Sequence, residues 1–251
     1  MPLLTMNDLL ALLIVLIAAL ILALVTLFAR SSSRIDMRLP ASAMAVDSLL
    51  QRSAESGGRI LMNFGSGFAQ SAELSSLVGL NLQRVILRRS FNADQPAMAG
   101  VGEGSLALLS QQLSYTLYTN ALIPEGPHAE NTGLSGLGPM GNLAGLLNSV
   151  PEAKNAGMIM HGSFCPEGLL ALDLASQFAL ETISAASDIT AQAAFWPMAS
   201  HSALGEDYFA SVFSDRPARS VTAVLKAADW LRILFCIGLL AAAILKVMGE
   251  F

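Results

Sequence analysis

Ser66, Glu103, Ser105, His161, Ser163, Cys165 and His201 are the side chains of this sequence best placed to do chemistry. Each lies in or beside a short turn between an apolar run and a helical pattern. Three of these turns carry glycine: Gly65-Ser66-Gly67, Gly102-Glu103-Gly104 with Ser105, and Gly162-Ser163 after His161. A glycine-containing turn at a helix N-terminus can hold an anion through its backbone N–H groups. Gly65, Ser66, Gly67, Gly102, Glu103, Gly104, Ser105, His161, Gly162 and Ser163 therefore form a candidate ligand-binding set. Every strand–helix connection also needs such turns for geometry alone, and both readings stand at this point.

Other motifs narrow the chemistry. Cys165 ahead of a helix and near His161 invites a thiolate nucleophile, against the commoner inert cysteine. The one literal G-x-G-x-x-G, Gly136 to Gly141, has no strand pattern before it and no acidic partner on a following strand. The sequence contains no G-x-x-x-x-G-K-[ST] and no G-x-S-x-G, which excludes a P-loop nucleotidase and counts against an α/β-hydrolase. His128, His161 and His201 show no metal-ligand spacing. No catalytic residue, metal or cofactor is assigned.

The turns recur at the ends of four strand–turn–helix units. The first is Arg59 to Phe64, then the glycine turn, then a helix over Ser71 to Ser90 with Leu74, Leu77, Val78, Leu82, Val85 and Ile86 as its apolar stripe. The second is Ala97 to Val101, followed by a helix from Ser105 to Thr119. The third is Ala156 to His161, followed by one long helix from Pro166 to Ala186. The fourth is Ala191 to Trp196, then a turn over Pro197 to Ser202 and a helix to Phe213. Ser42 to Ser56 reads as an amphipathic helix with Met44, Ser48, Leu49 and Arg52 at helical spacing, stopped by Gly57-Gly58. Residues 122–150, rich in Gly and Pro, read as a long loop. Such alternation predicts an α/β fold, a Rossmann-like three-layer domain with a mostly parallel sheet. In that fold all the turns above fall at the carboxyl edge of the sheet, where ligands bind.

The 251 residues are 53% hydrophobic and 13% charged, with a mean hydropathy of +0.56. Leu9 to Phe28 is an uncharged run long enough, at ~1.5 Å per residue, to cross a ~30 Å hydrocarbon core. Leu231 to Gly249 is a second span if Arg232 and Lys246 snorkel, with Trp230 at the headgroup level. Arg30, Arg34 and Arg38 follow the first span, and Arg216, Arg219 and Lys226 precede the second. Cations near span ends resist translocation, so the expected topology is a two-pass protein of the plasma (inner) membrane. Its central domain would be cytoplasmic and both termini outside. The expected division is an anchor over 1–30, a linker and amphipathic helix over 31–57, the α/β domain over 58–215, and a long helix running into the second span over 216–251. Of the two cysteines, Cys236 falls in the second span and Cys165 in the domain, so no disulfide is expected.

Between Leu39 and Asp215 there are six basic and fifteen acidic residues, Lys154 being the only lysine. The net charge of about −9 offers nothing to neutralise phosphates, which argues against nucleic acid. Charged residues make up about half the share usual in soluble proteins. Interfaces are depleted in Lys, Glu and Asp, so much of this surface is expected to be covered by copies of the chain or by other membrane subunits.

The order of segments, with strand–turn stretches such as Ile60-Leu61-Met62-Asn63-Phe64-Gly65 and Gly157-Met158-Ile159-Met160-His161-Gly162, resembles an uncharacterised family of bacterial membrane proteins. That family is known only as a domain of unknown function, with a terminal span on either side of a cytoplasmic α/β domain. The resemblance implies an architecture and no activity. Two functions follow from the residues: a membrane-anchored scaffold subunit of a homo-oligomeric or multi-subunit assembly, or a cytoplasmic sensor or enzyme for an anionic ligand or nucleotide.

Overall fold

A computed structural model describes residues 12, 14–20, 23–24, 40–66, 75–91, 95–121, 131–152, 154–210 and 228–240. Contacts divide the chain into two units, one of them Leu39–Asp215 and the other Met1–Arg38 with Arg216–Phe251.

The Leu39–Asp215 unit is a three-layer α/β structure. Its elements are α1 (Ala41–Ser56), β1 (Arg59–Gly65), α2 (Ser75–Ser90), β2 (Met98–Val101), α3 (Gly104–Asn120), β3 (Thr132–Leu134), α4 (Gly138–Ser149), β4 (Asn155–Ser163), a 3-10 turn (Pro166–Gly168), α5 (Leu169–Gln177), β5 (Glu181–Ala186), α6 (Ile189–Phe195), β6 (His201–Ala203) and α7 (Asp207–Ala210). The sheet is parallel throughout, in the order β3-β2-β1-β4-β5-β6. That order reverses direction between β1 and β4, the switch point of a doubly wound sheet.

Strand residues alternate between two cores, as the two-residue period of a strand requires. Ile60, Met62, Phe64, Ile159 and Ile183 pack against Val46 and Leu49 of α1, Leu82 and Ile86 of α2, and Leu106 and Leu117 of α3. Leu61, Met158 and Met160 face the other way, onto Leu143 and Leu146 of α4, Leu172 of α5 and Phe195 of α6. Helix α1 begins after Pro40 and ends at Gly57, whose φ of 64° is left-handed. Its buried face is Ala43, Val46, Leu49 and Ser53, while Met44 points to solvent, so the stripe expected from the sequence is rotated. The helix lies against β4, β5 and β6, completing the layer begun by α2 and α3.

The third and fourth units differ from expectation. The long helix predicted over 166–186 is a 3-10 turn, α5 and then strand β5. The break is at Ala179, in a left-handed conformation (φ 53°) that a non-glycine residue does not advertise. The strand predicted over Ala191 to Trp196 is helix α6, capped by Asp188, whose carboxylate accepts from the Ala191 N–H. The turn predicted over Pro197 to Ser202 ends in strand β6, and within the predicted helix to Phe213 only the short α7 is described. The long loop of 122–150 holds β3 and α4; 122–130 lie outside the described residues.

In the second unit, residues 14–20 and 228–240 are helical, and Ile14, Val15, Leu16, Trp230, Ile233 and Phe235 are among their exposed side chains. Among the described residues, no helix is long and apolar enough to cross a membrane. Much of each span expected from the sequence, Leu9 to Phe28 and Leu231 to Gly249, lies outside the described residues, as do Arg30, Arg34, Arg38, Arg216, Arg219 and Lys226.

Candidate functional site

The carboxyl edge of the sheet at the β1–β4 switch point is built from backbone brought very close together. Gly65 ends β1 with φ 73°, and a Cβ there would lie 1.8 Å from the Ser163 carbonyl oxygen. A Cβ on Gly162 would lie 2.1 Å from the Phe64 carbonyl oxygen, and one on Gly102 would strike Ser66 and Asn142. These glycines permit close approach of neighbouring strands and turns.

Five of the turn N–H groups at this edge have partners inside the protein. The Gly65 N–H donates to Asn63 Oδ1 (2.9 Å), and the Ser66 N–H to the Ser163 carbonyl (3.0 Å). The Gly102 N–H donates to the Gly65 carbonyl (2.7 Å), the Gly138 N–H to the Gly102 carbonyl (2.9 Å), and the Ser187 N–H to the Gly162 carbonyl (3.0 Å). Glu103 accepts a hydrogen bond from the Ser105 hydroxyl, beside an open Gly104 at the start of α3. Gly67 lies outside the described residues.

The two described histidines, His161 and His201, do not meet at this edge, and His128 lies outside the described residues. His161 is fully buried within β4 on the side facing α2, its ring 4.4 Å from the Tyr208 ring and its Nε2 3.1 Å from the Tyr208 carbonyl oxygen. Tyr208 in turn donates its hydroxyl to the Ser75 carbonyl (2.7 Å). Burial is the main reason the His161 pKa falls from 6.5 to about 4, so the ring is neutral at pH 7. His201 begins β6 at the opposite, amino edge, 3.3 Å from the Glu181 carboxylate that also pairs with Arg52. The neighbourhood expected from the sequence is corrected accordingly: His201 is at the wrong end of its strand because a helix occupies the place of the predicted fourth strand.

On the β1–β4 face toward α4 lies a small solvent-open crevice, with about 260 Å³ of empty space counting its mouth. Ser66, Asn142, Cys165 and Glu167 supply its polar lining, and Leu143, Met160 and Phe164 much of its apolar lining. Cys165 faces this crevice while His161 faces the other layer, so the two do not form a thiolate–imidazole pair. Beneath it, Asn63 and Asn142 join their amides reciprocally, each donating to the other at 2.9 Å, and both are buried. Sequence reading passed over both residues. The available signal was one polar residue in the apolar run Ile60-Leu61-Met62-Asn63-Phe64.

Removing one of that pair has a defined cost. Asn63→Ala strands half of the Asn142 amide and the Gly65 N–H in the interior, so urea unfolding should show a loss of about 2–4 kcal/mol. The double replacement Asn63→Leu with Asn142→Leu should recover part of that loss, since no side-chain amide is left orphaned and only the Gly65 N–H still lacks its acceptor.

The G-x-G-x-x-G of residues 136–141 does follow a strand, contrary to expectation, but that strand is β3 at the sheet edge. Gly136 packs against Gly141, where a Cβ would lie 2.2 Å from its carbonyl oxygen. Its close packing ties the turn to α4. Among the described residues, no three His, Cys, Asp or Glu side chains converge as a metal site.

No protein-family model, curated protein or solved structure matches the chain.

Proposed function

We propose that this protein is a membrane-anchored structural subunit that assembles with copies of itself, its α/β domain serving as the packing unit. The observation that carries this reading is the state of the switch point: the turn N–H groups of Gly65, Ser66, Gly102, Gly138 and Ser187 are bonded internally. At these five positions the sheet edge where an open α/β fold usually takes its ligand is bonded within the protein, to backbone carbonyls and to the Asn63 side chain. The crevice beside it falls below the ~300–1,000 Å³ usual for small-molecule sites. What remains distinctive is a domain whose surface is poor in charge, as surfaces that become interfaces are.

Membrane attachment belongs to the same proposal, with the domain on the cytoplasmic side and both termini outside. It is supported by the two apolar runs of the sequence and by the exposed Ile14, Val15, Leu16, Ile233 and Phe235 on their described helical residues. Membership of the uncharacterised two-span family is part of the proposal and rests on layout alone. The test is alkaline carbonate extraction of membranes from cells producing the full chain. The protein is expected in the pellet, and release into the supernatant would contradict the anchor.

A second reading, a small-molecule sensor, is favoured only by the placing of Ser66, Asn142 and Cys165 at the switch point. The scaffold reading expects no thermal shift above 1 °C, an about 0.3 kcal/mol effect for a domain this size, with ATP, GTP, NAD or inorganic phosphate at millimolar concentration. A saturable shift with any of them would move the conclusion to the sensor.

A further inference from the structure

The β3 edge of the sheet is flanked by two stretches, residues 104–121 and 131–151, that contain no Asp, Glu, Lys or Arg. The segment between them, which carries Glu125 and Glu130, lies outside the described residues. These stretches form α3, β3 and α4: β3 is the edge strand, α3 packs on β3 and β2, and α4 follows β3 in the chain and packs on β2 and β1. Gln111 of α3 donates to the Thr132 carbonyl of β3 (3.1 Å), which puts that face of the helix beside the edge strand. Leu108 and Tyr115, three residues before and four after Gln111, share its face. Leu108 is 69% exposed, Tyr115 61%, Leu137 74% and Met140 67%, with Leu134 at the end of β3 exposed as well.

We infer that this edge is the contact between two copies of the chain, related by a twofold axis. The inference rests on the self-assembly proposed above and names the surface. A twofold contact lays a patch against itself, so every charge near the axis would meet its own like, and a patch without charges meets no such cost. Sheet edges that stay solvent-exposed are usually guarded by charged residues, and the described part of this one has none. The exposed apolar side chains amount to on the order of 600 Å² per copy, so two copies bury about 1,200 Å², the lower end of a standard specific interface. A lipid surface is a poorer fit, because membrane-lying helices carry Lys or Arg on their polar face and α3 has neither.

The test is sedimentation velocity of the full chain in detergent. Leu108→Glu with Leu137→Glu, and separately Leu108→Lys with Leu137→Lys, place charges on the patch at exposed positions where folding is unaffected. Unchanged melting temperatures check this. Each charged variant alone is expected to lose the twofold contact and sediment as a smaller species than wild type. Mixing the two at equal concentration is expected to restore the contact. Trp196→Glu, just past the end of α6 and toward the other end of the sheet, should sediment as wild type. If the wild type assembles and the charged variants assemble equally well, the surface is wrong and the scaffold reading stands. If the wild type is a single copy, both fall.

Discussion

Gly65→Ala should leave the domain largely unfolded at 25 °C, with a loss of at least ~4 kcal/mol against total stabilities of ~5–15 kcal/mol. Two costs coincide at this position. The φ of 73° is left-handed, where an alanine costs about 1 kcal/mol or more. The new methyl would also start 1.8 Å from the Ser163 carbonyl oxygen, a backbone atom held in the β1–β4 pairing. Relief requires β1 and β4 to separate, which would break the Ser66–Ser163 hydrogen bond and loosen both cores. The matched control is Gly104→Ala at the first turn of α3, where a Cβ meets nothing within 4 Å. That change should be neutral or stabilising by up to ~1 kcal/mol, through the lower entropy of the unfolded chain. Circular dichroism with urea titration of the two variants measures both effects. Equal stability for the two would refute the tight switch point.

The second large effect is acid sensitivity through His161. Its pKa is about 4 in the folded protein, because burial disfavours the imidazolium, and 6.5 when unfolded. Above about pH 6.5 the ring is neutral in both states and contributes no pH dependence. As pH falls from 6.5 toward 4, the unfolded chain takes up a proton that the folded chain refuses, and stability drops. The full loss is about 3 kcal/mol, reached once pH is below the folded value. His161→Phe lacks the proton-binding group, so its stability should decline less over this window by about that amount, whatever its starting value. Urea midpoints at pH 7, 6, 5 and 4 for both proteins give the comparison. Parallel profiles would show that His161 is not a buried neutral ring.

The sequence made the first half of the domain readable because its signals are local. Gly57 stops α1, Gly65 stops β1, and the apolar runs at 59–64 and 97–101 sit in strands of nearly those bounds. Beyond Pro166 the local signals mislead. Glu181–Ala186 is short and half alanine or serine, so it continues the helical pattern before it, and only the left-handed Ala179 divides them. The pairing of Ile183 with Ile159 and His201 fixes it as a strand, and those partners lie 24 and 18 residues away. Residues 132–149 show the same limit. Glycine and proline suggested a loop, yet Pro139 sits in the first helical turn and Gly136, Gly141 and Gly145 are close-packing positions.

The candidate site was legible in position and not in purpose. Glycine turns at strand ends mark the carboxyl edge, and the edge is there. What the amides of those turns bond to is a matter of contacts such as Gly102 to Gly65 and Ser66 to Ser163, which join distant segments. The Asn63–Asn142 pair spans 79 residues and has no local signature in Asn142 at all. His161 looked available because it precedes a glycine turn. Its register instead turns the ring inward, toward a tyrosine that lies 47 residues on.

Native mass spectrometry of the full chain, released from detergent micelles or nanodiscs, addresses self-assembly of a membrane-held subunit without intermediaries. The expected spectrum shows multiples of 26.4 kDa, with the dimer as the smallest abundant species. A spectrum holding only the 26.4 kDa species, at concentrations matching those in the membrane, would contradict the account.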